Sequence, residues 1–109
     1  MDKKDFYVFS ALLSDVHAKA FGEPLSRLSH SKAQSLSWLV YEATGELLSY
    51  KTLGNYVSAV MENDPEKINP TGMTLSILAQ YVGGPAISAY RGLAWFKYRT
   101  GMLNRPMVA

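Results

Sequence analysis

Two stretches of this 109-residue chain carry side chains suited to binding a partner. Residues 89–105, AYRGLAWFKYRTGMLNR, interleave aromatics with arginine and lysine, a mixture that can stack on bases and grip phosphates. The same aromatics also suit a core. Trp95 and Tyr98, three apart, would fill a small bundle while the basic heads of Arg91, Lys97 and Arg99 extend outward. Residues 46–63, ELLSYKTLGNYVSAVMEN, set polar side chains along the outer side of a short helical pattern. Such a side either reads a partner such as DNA or is the wet face of a core helix.

Catalytic chemistry finds no comparable set. The chain has no cysteine, which rules out disulfides, thiolate nucleophiles and cysteine metal sites, and its two isolated histidines offer little for zinc. His17 falls at the border of an apolar stripe and His30 lies in a serine-rich capping region, and a nucleophile needs both a base and an orienting group in reach. Asp64 and Glu66 read as surface charges. The VGGP at 82–85 lacks the Lys-Ser/Thr of a phosphate loop and reads as a helix stop. The expectation is a non-enzymatic protein that needs no cofactor and no metal.

The elements that must position these residues follow from patterning. An apolar content of 48% and a charged fraction of 18% describe a chain that folds, and its length suits one domain. The opening MDKKDFYVFSALL mixes acid and lysine with apolar residues instead of forming a signal core, and no apolar run approaches the roughly 20 residues of a membrane span. A soluble, cytoplasmic protein is expected. All nine acids lie at or before Glu66, against six Lys/Arg there, a balance of −3. From Lys67 onward come five cations and no acid, a balance of +5, which suggests a basic end able to meet an anionic partner.

An all-α bundle of about five helices is predicted, since nothing alternates with period two for long; WLVYE and FKYRT are its most strand-like pieces. The first helix spans about Lys4 to Ala20, with Phe6, Phe9, Leu12, Leu13, Val16 and Ala20 at three- and four-residue spacing, and stops near Gly22. The second starts at Ser29 or Ser31, buries Ala33, Leu36, Leu39, Val40 and Ala43, and stops at Gly45. The third, about 49–62, is capped by Ser49 and buries Leu53, Tyr56, Val57 and Val60. A loop, NDPEKINPTG, precedes a fourth helix capped by Thr71, with Leu75, Leu78, Ala79 and Val82 inward and Gly83-Gly84 as its end. The fifth takes Pro85 in its first turn, turns Ile87, Tyr90, Ala94, Trp95 and Tyr98 inward, and stops at Gly101. The domain is thus 1–101, with 102–109 a flexible tail.

Gly45 in a turn, Ser49 as cap, the pair Thr52-Leu53, then Pro70-Thr71, Thr74-Leu75 and Leu78-Ala79 follow one another in an order that resembles the lambda-repressor or Xre-like helix-turn-helix domains of bacterial regulators. The resemblance covers about residues 29 to 84. The cap stands four residues after Gly45 instead of two, and Tyr41 takes the place of a small residue. The resemblance implies a small DNA-binding transcriptional regulator whose third helix faces the major groove with Tyr50, Lys51, Thr52, Asn55 and Ser58. Lys51 would meet guanine or phosphate, Asn55 an adenine edge, and Thr52 or Ser58 phosphate oxygens, while Gly54 would admit a close backbone. Arg91, Lys97 and Arg99 would then hold phosphates. Partners are therefore double-stranded DNA, with a homodimer possible, or, on a rival reading, a protein bound by a helical adaptor or inhibitor through surplus aromatics such as Tyr7, Trp38, Tyr50 and Phe96.

Overall fold

Each of the first four helices begins where a short oxygen-bearing side chain meets amides that have no helical partner. Asp2 accepts from Asp5 N–H ahead of α1 (Lys3–Phe21), and Ser29 from Lys32 N–H ahead of α2 (His30–Thr44). Ser49 accepts from Lys51 N–H ahead of α3 (Tyr50–Met61), and Thr71 from Thr74 N–H ahead of α4 (Gly72–Gly83). A final helix, α5 (Ala94–Leu103), follows a single 3-10 turn at Arg91–Leu93, and another such turn, Pro65–Lys67, lies between α3 and α4. The computed structural model describes residues 1–84 and 91–104, with Arg91 as backbone only, and among these no strand occurs. The protein is all-α.

The centre of the bundle is α4. Every residue from Leu75 to Tyr81 is buried, because the helix packs against α1, α2 and α5 at once. Two polar groups are enclosed with it, and the Ser76 hydroxyl donates to Gly92 O at 3.4 Å. Around this axis α1 supplies Phe6, Val8, Phe9, Leu12, Leu13 and Val16, α2 supplies Ala33, Leu36 and Val40, and α5 supplies Ala94 and Trp95. Polar ties join the first and last helices. Tyr98 donates its hydroxyl to Asp15 at 2.7 Å, and Arg99 Nε donates to Asp5 at 2.6 Å.

Several expectations change in detail. Ala43 is exposed instead of inward, since α2 buries only the 33–36–37–40 side on its neighbours. Gly101 does not stop α5. Nothing in a helix forbids glycine there, and the helix continues to Leu103 with Met102 and Leu103 packed on the core, so a tail starting at 102 begins too early. The expected place of Pro85 in a first turn, the inward roles of Ile87 and Tyr90, and residues 105–109 of the tail lie outside the described residues. WLVYE and FKYRT are both helical, as parts of α2 and α5.

His17 is not at a border but inside, 1% exposed. Its Nδ1 lies 3.0 Å from the carbonyl of Glu23, an acceptor only, so that nitrogen carries the hydrogen and donates. Nε2 is left buried without a partner. The bond ties the chain after α1 back onto that helix, beside the Glu23–Lys32 ion pair that pins it to α2. No helix among the described residues is long and apolar enough to cross a membrane.

Candidate nucleic-acid interface

The placement of α3 depends on residues 45–49. Gly45 closes α2 in the left-handed region (φ 77°), its N–H bonded to Tyr41 O, a conformation that glycine adopts without a Cβ clash. The next four residues belong to no helix, and the buried Leu48 has its carbonyl accepting from the Ser37 hydroxyl at 2.5 Å. At the end of this link the rings of His30 and Tyr50 meet edge-on, 4.9 Å apart. A helix rises about 1.5 Å per residue and extended chain about 3.3 Å, so five link residues retrace roughly ten residues of α2. Hence α3 starts beside the beginning of α2. A tight helix-turn-helix turn would start it beside the end.

Ser37 is the polar anchor of that path. Ser37→Ala is expected to leave the Leu48 carbonyl buried and unpaired and to cost about 1–3 kcal/mol. Urea unfolding measures this, and an unchanged midpoint would mean that burial of Leu48 alone holds the link.

On α3, helical spacing separates two faces. Leu53, Tyr56 and Val57 point into the core, with Tyr56 edge-on to Phe9 at 5.4 Å. Burial pushes the Tyr56 hydroxyl above its ordinary value, and a hydrogen bond with Thr74 partly offsets this. On the other side Lys51 and Asn55 are exposed, one helical turn apart, while Tyr50, Thr52, Gly54 and Ser58 are half-buried. A Cβ added at Gly54 would meet nothing within 4 Å.

The same face carries a cation that sequence reasoning did not single out. Arg27, from the loop before α2, donates from Nη1 to the Ser58 hydroxyl at 3.4 Å and lies 3.7 Å from Glu62. Lys67 reaches the other oxygen of Glu62 at 2.9 Å. The bond from Lys67 and its charge, with Arg27 behind them, hold the Glu62 carboxyl below its usual range, and Glu62 in turn raises Lys67. The carboxylate closing the far end of the face is thus balanced by two cations. Nothing in linear spacing marks Arg27, which is 31 positions from Ser58.

The C-terminal cations are placed elsewhere. α5 rests on α4 and α1 while α3 rests on α2 and the 65–67 turn, so Lys51 and Arg99 belong to different helix pairs. Arg99 is joined to Asp5, Lys97 is exposed, and the Arg91 side chain lies outside the described residues. Of the aromatics, Trp95 is buried, while Tyr7, Trp38 and Phe96 are exposed. Compared with protein-family models, curated proteins and solved structures, the chain matches none of them.

Proposed function

We propose that this protein binds double-stranded DNA through the outer face of α3, with Lys51 and Asn55 toward base edges and Thr52 and Ser58 toward phosphate oxygens. The observation that carries this reading is the open side of the helix at Gly54. Glycine inside a helix costs about 1 kcal/mol relative to alanine, and no neighbour in the folded chain requires its absence of a side chain. A surface that must come close from outside would. Arg27, held over Ser58, supplies a cation for phosphate at the same face, beside the role expected of Arg91, Lys97 and Arg99, of which Arg99 is joined to Asp5. In the cell this proposal amounts to a cytoplasmic regulator of transcription.

The test has two readouts. Binding to duplex DNA should fall with salt at a slope of about −0.9 per phosphate contacted. Gly54→Ala should raise stability by about 0.5–1 kcal/mol yet weaken binding, because the methyl group fills the space a backbone or sugar would use. No retardation at low salt, or binding indifferent to salt, would remove the proposal.

A second reading, a protein-binding adaptor, is favoured by one specific observation. Trp38 and Tyr41 are 59% and 44% exposed on α2 with their rings 5.9 Å apart, and Leu47 beyond them is 71% exposed. Neighbouring aromatic and aliphatic groups left in water mark contact surfaces more often than isolated ones do.

A further inference from the structure

We infer that the cleft between α4, the 45–49 link and the 3-10 turn at Arg91–Leu93 is a binding site for a small organic amine, a cation carried on an apolar body. The inference stands apart from the DNA reading, because none of the residues it uses lies on α3.

One side of α4 is polar although it is buried. Ser76 and Gln80 are 4% and 9% exposed. With Met73 and Ile77 they fall on the side of the helix opposite the Leu75, Leu78 and Ala79 stripe. Polar side chains are enclosed at a cost unless they have something to bond, so their place here calls for a reason. Over that side lie Glu46 from the link and Gly92 from the 3-10 turn, and a cleft of about 370 Å³ remains between them and the helix. Sites for small molecules run from roughly 300 to 1,000 Å³ and combine apolar walls with a few convergent polar groups. This cleft has both. The Ser76 hydroxyl donates to Gly92 O at 3.4 Å, which is long for such a bond, and its oxygen keeps lone-pair capacity for a donor from outside.

Charge decides the class of ligand. Among the described residues lining the cleft, Glu46 is the one that carries a charge. Its backbone is occupied with Thr44, whose hydroxyl accepts from Glu46 N–H at 3.2 Å and lies 3.5 Å from Glu46 O. Its carboxylate is exposed and has neither an ion pair nor a hydrogen bond, whereas Glu23 and Glu62 are both paired with lysine. A lone carboxylate at the rim of an apolar cleft favours a cation and disfavours an anion. An amine on an apolar body meets both requirements. The body covers Ile77 and Met73, and the ammonium, which has only donors, turns to Glu46 and to the Ser76 oxygen. Glu46 also belongs to the link that leads into α3, so a ligand held here rests on the segment that sets where that helix begins.

The test is titration of the full chain, without DNA, followed by amide NMR with three probes of one shape: phenethylamine, phenethyl alcohol and hydrocinnamate. Near neutral pH they are a cation, a neutral molecule and an anion. Phenethylamine is expected to shift the amides of Met73, Ser76, Ile77 and Gly92 saturably, with a Kd of about 1–10 mM for so small a probe. The alcohol should bind roughly threefold to fivefold more weakly, as the loss of one partly exposed ion pair implies, and hydrocinnamate more weakly again. Glu46→Gln, at an exposed position that leaves packing untouched, should bring the amine down to the level of the alcohol and leave the alcohol unchanged. Three probes that bind alike, shifts that never saturate or that lie elsewhere, or a Glu46→Gln variant that binds the amine as the wild type does would each overturn the inference. Tighter binding of N-acetyl-lysine amide than of phenethylamine would also overturn it, since the occupant would then be the lysine of a partner protein.

Discussion

Replacing Lys51 and Asn55 together with alanine is expected to weaken sequence-specific binding to duplex DNA by about 2–6 kcal/mol, at roughly 1–3 kcal/mol per lost base contact. The two side chains are exposed one turn apart on α3, so they can meet adjacent base pairs, and their loss removes no packing. Their nearness also makes the effects of the single variants non-additive, since neighbours that share a contact surface couple. Arg27→Ala should behave differently. Its guanidinium touches Ser58 and Glu62 at the edge of the face, as a phosphate contact would, so binding should weaken evenly across sequences and the salt slope should flatten by about 1. Titration of a fluorescent duplex at several salt concentrations separates the two behaviours. If the double variant binds every sequence as the wild type does, α3 is not the reading element.

Phe9→Ala should give the largest loss of stability, about 3–5 kcal/mol. The ring is fully enclosed and meets Tyr56 edge-on at 5.4 Å, an aromatic contact between α1 and the inner side of α3. Its removal leaves a cavity that the surrounding core closes only in part, and it ends an aromatic pair. Against a total of about 5–15 kcal/mol for a domain, that is roughly a fifth of the stability or more. Tyr7→Ala, two positions earlier and 64% exposed, is the control and should change the unfolding midpoint by no more than about 0.5 kcal/mol. Urea denaturation reads both. A Phe9 variant as stable as the Tyr7 variant would mean that the α1–α3 contact contributes little.

How much of this molecule was legible in its residues depends on distance along the chain. A cap needs one oxygen and amides within three positions, as at Ser29, Ser49 and Thr71, and a buried stripe needs only the helical repeat, as in Phe6–Phe9–Leu12–Leu13–Val16. Both kinds of feature could be read directly, and so could the contrast between Leu53, Tyr56 and Val57 inside and Lys51 and Asn55 outside. The exposed surplus aromatics Tyr7, Trp38 and Phe96 could be anticipated too, from a core too small to take them all.

Other features have no local signature. Whether residues 45–49 turn tightly or run back along α2 was decided by the burial of Leu48 and its bond from Ser37, groups on separate segments. That path sets where α3 begins, and only then does Arg27 fall beside Ser58. Arg99 looked free for a phosphate until the fold set it against Asp5, 94 positions away. α4 showed one stripe in its sequence yet is buried on every side from Leu75 to Tyr81, because α1, α2 and α5 all pack on it, and His17 went inside, where its ring meets Phe21 and the Glu23 carbonyl. Helix starts and apolar stripes were therefore determined by the amino-acid sequence itself, through interactions spanning three or four residues. The partners of charged groups and the direction of α3 were decided by the tertiary structure, because they depend on distances between helices that no spacing along one helix encodes.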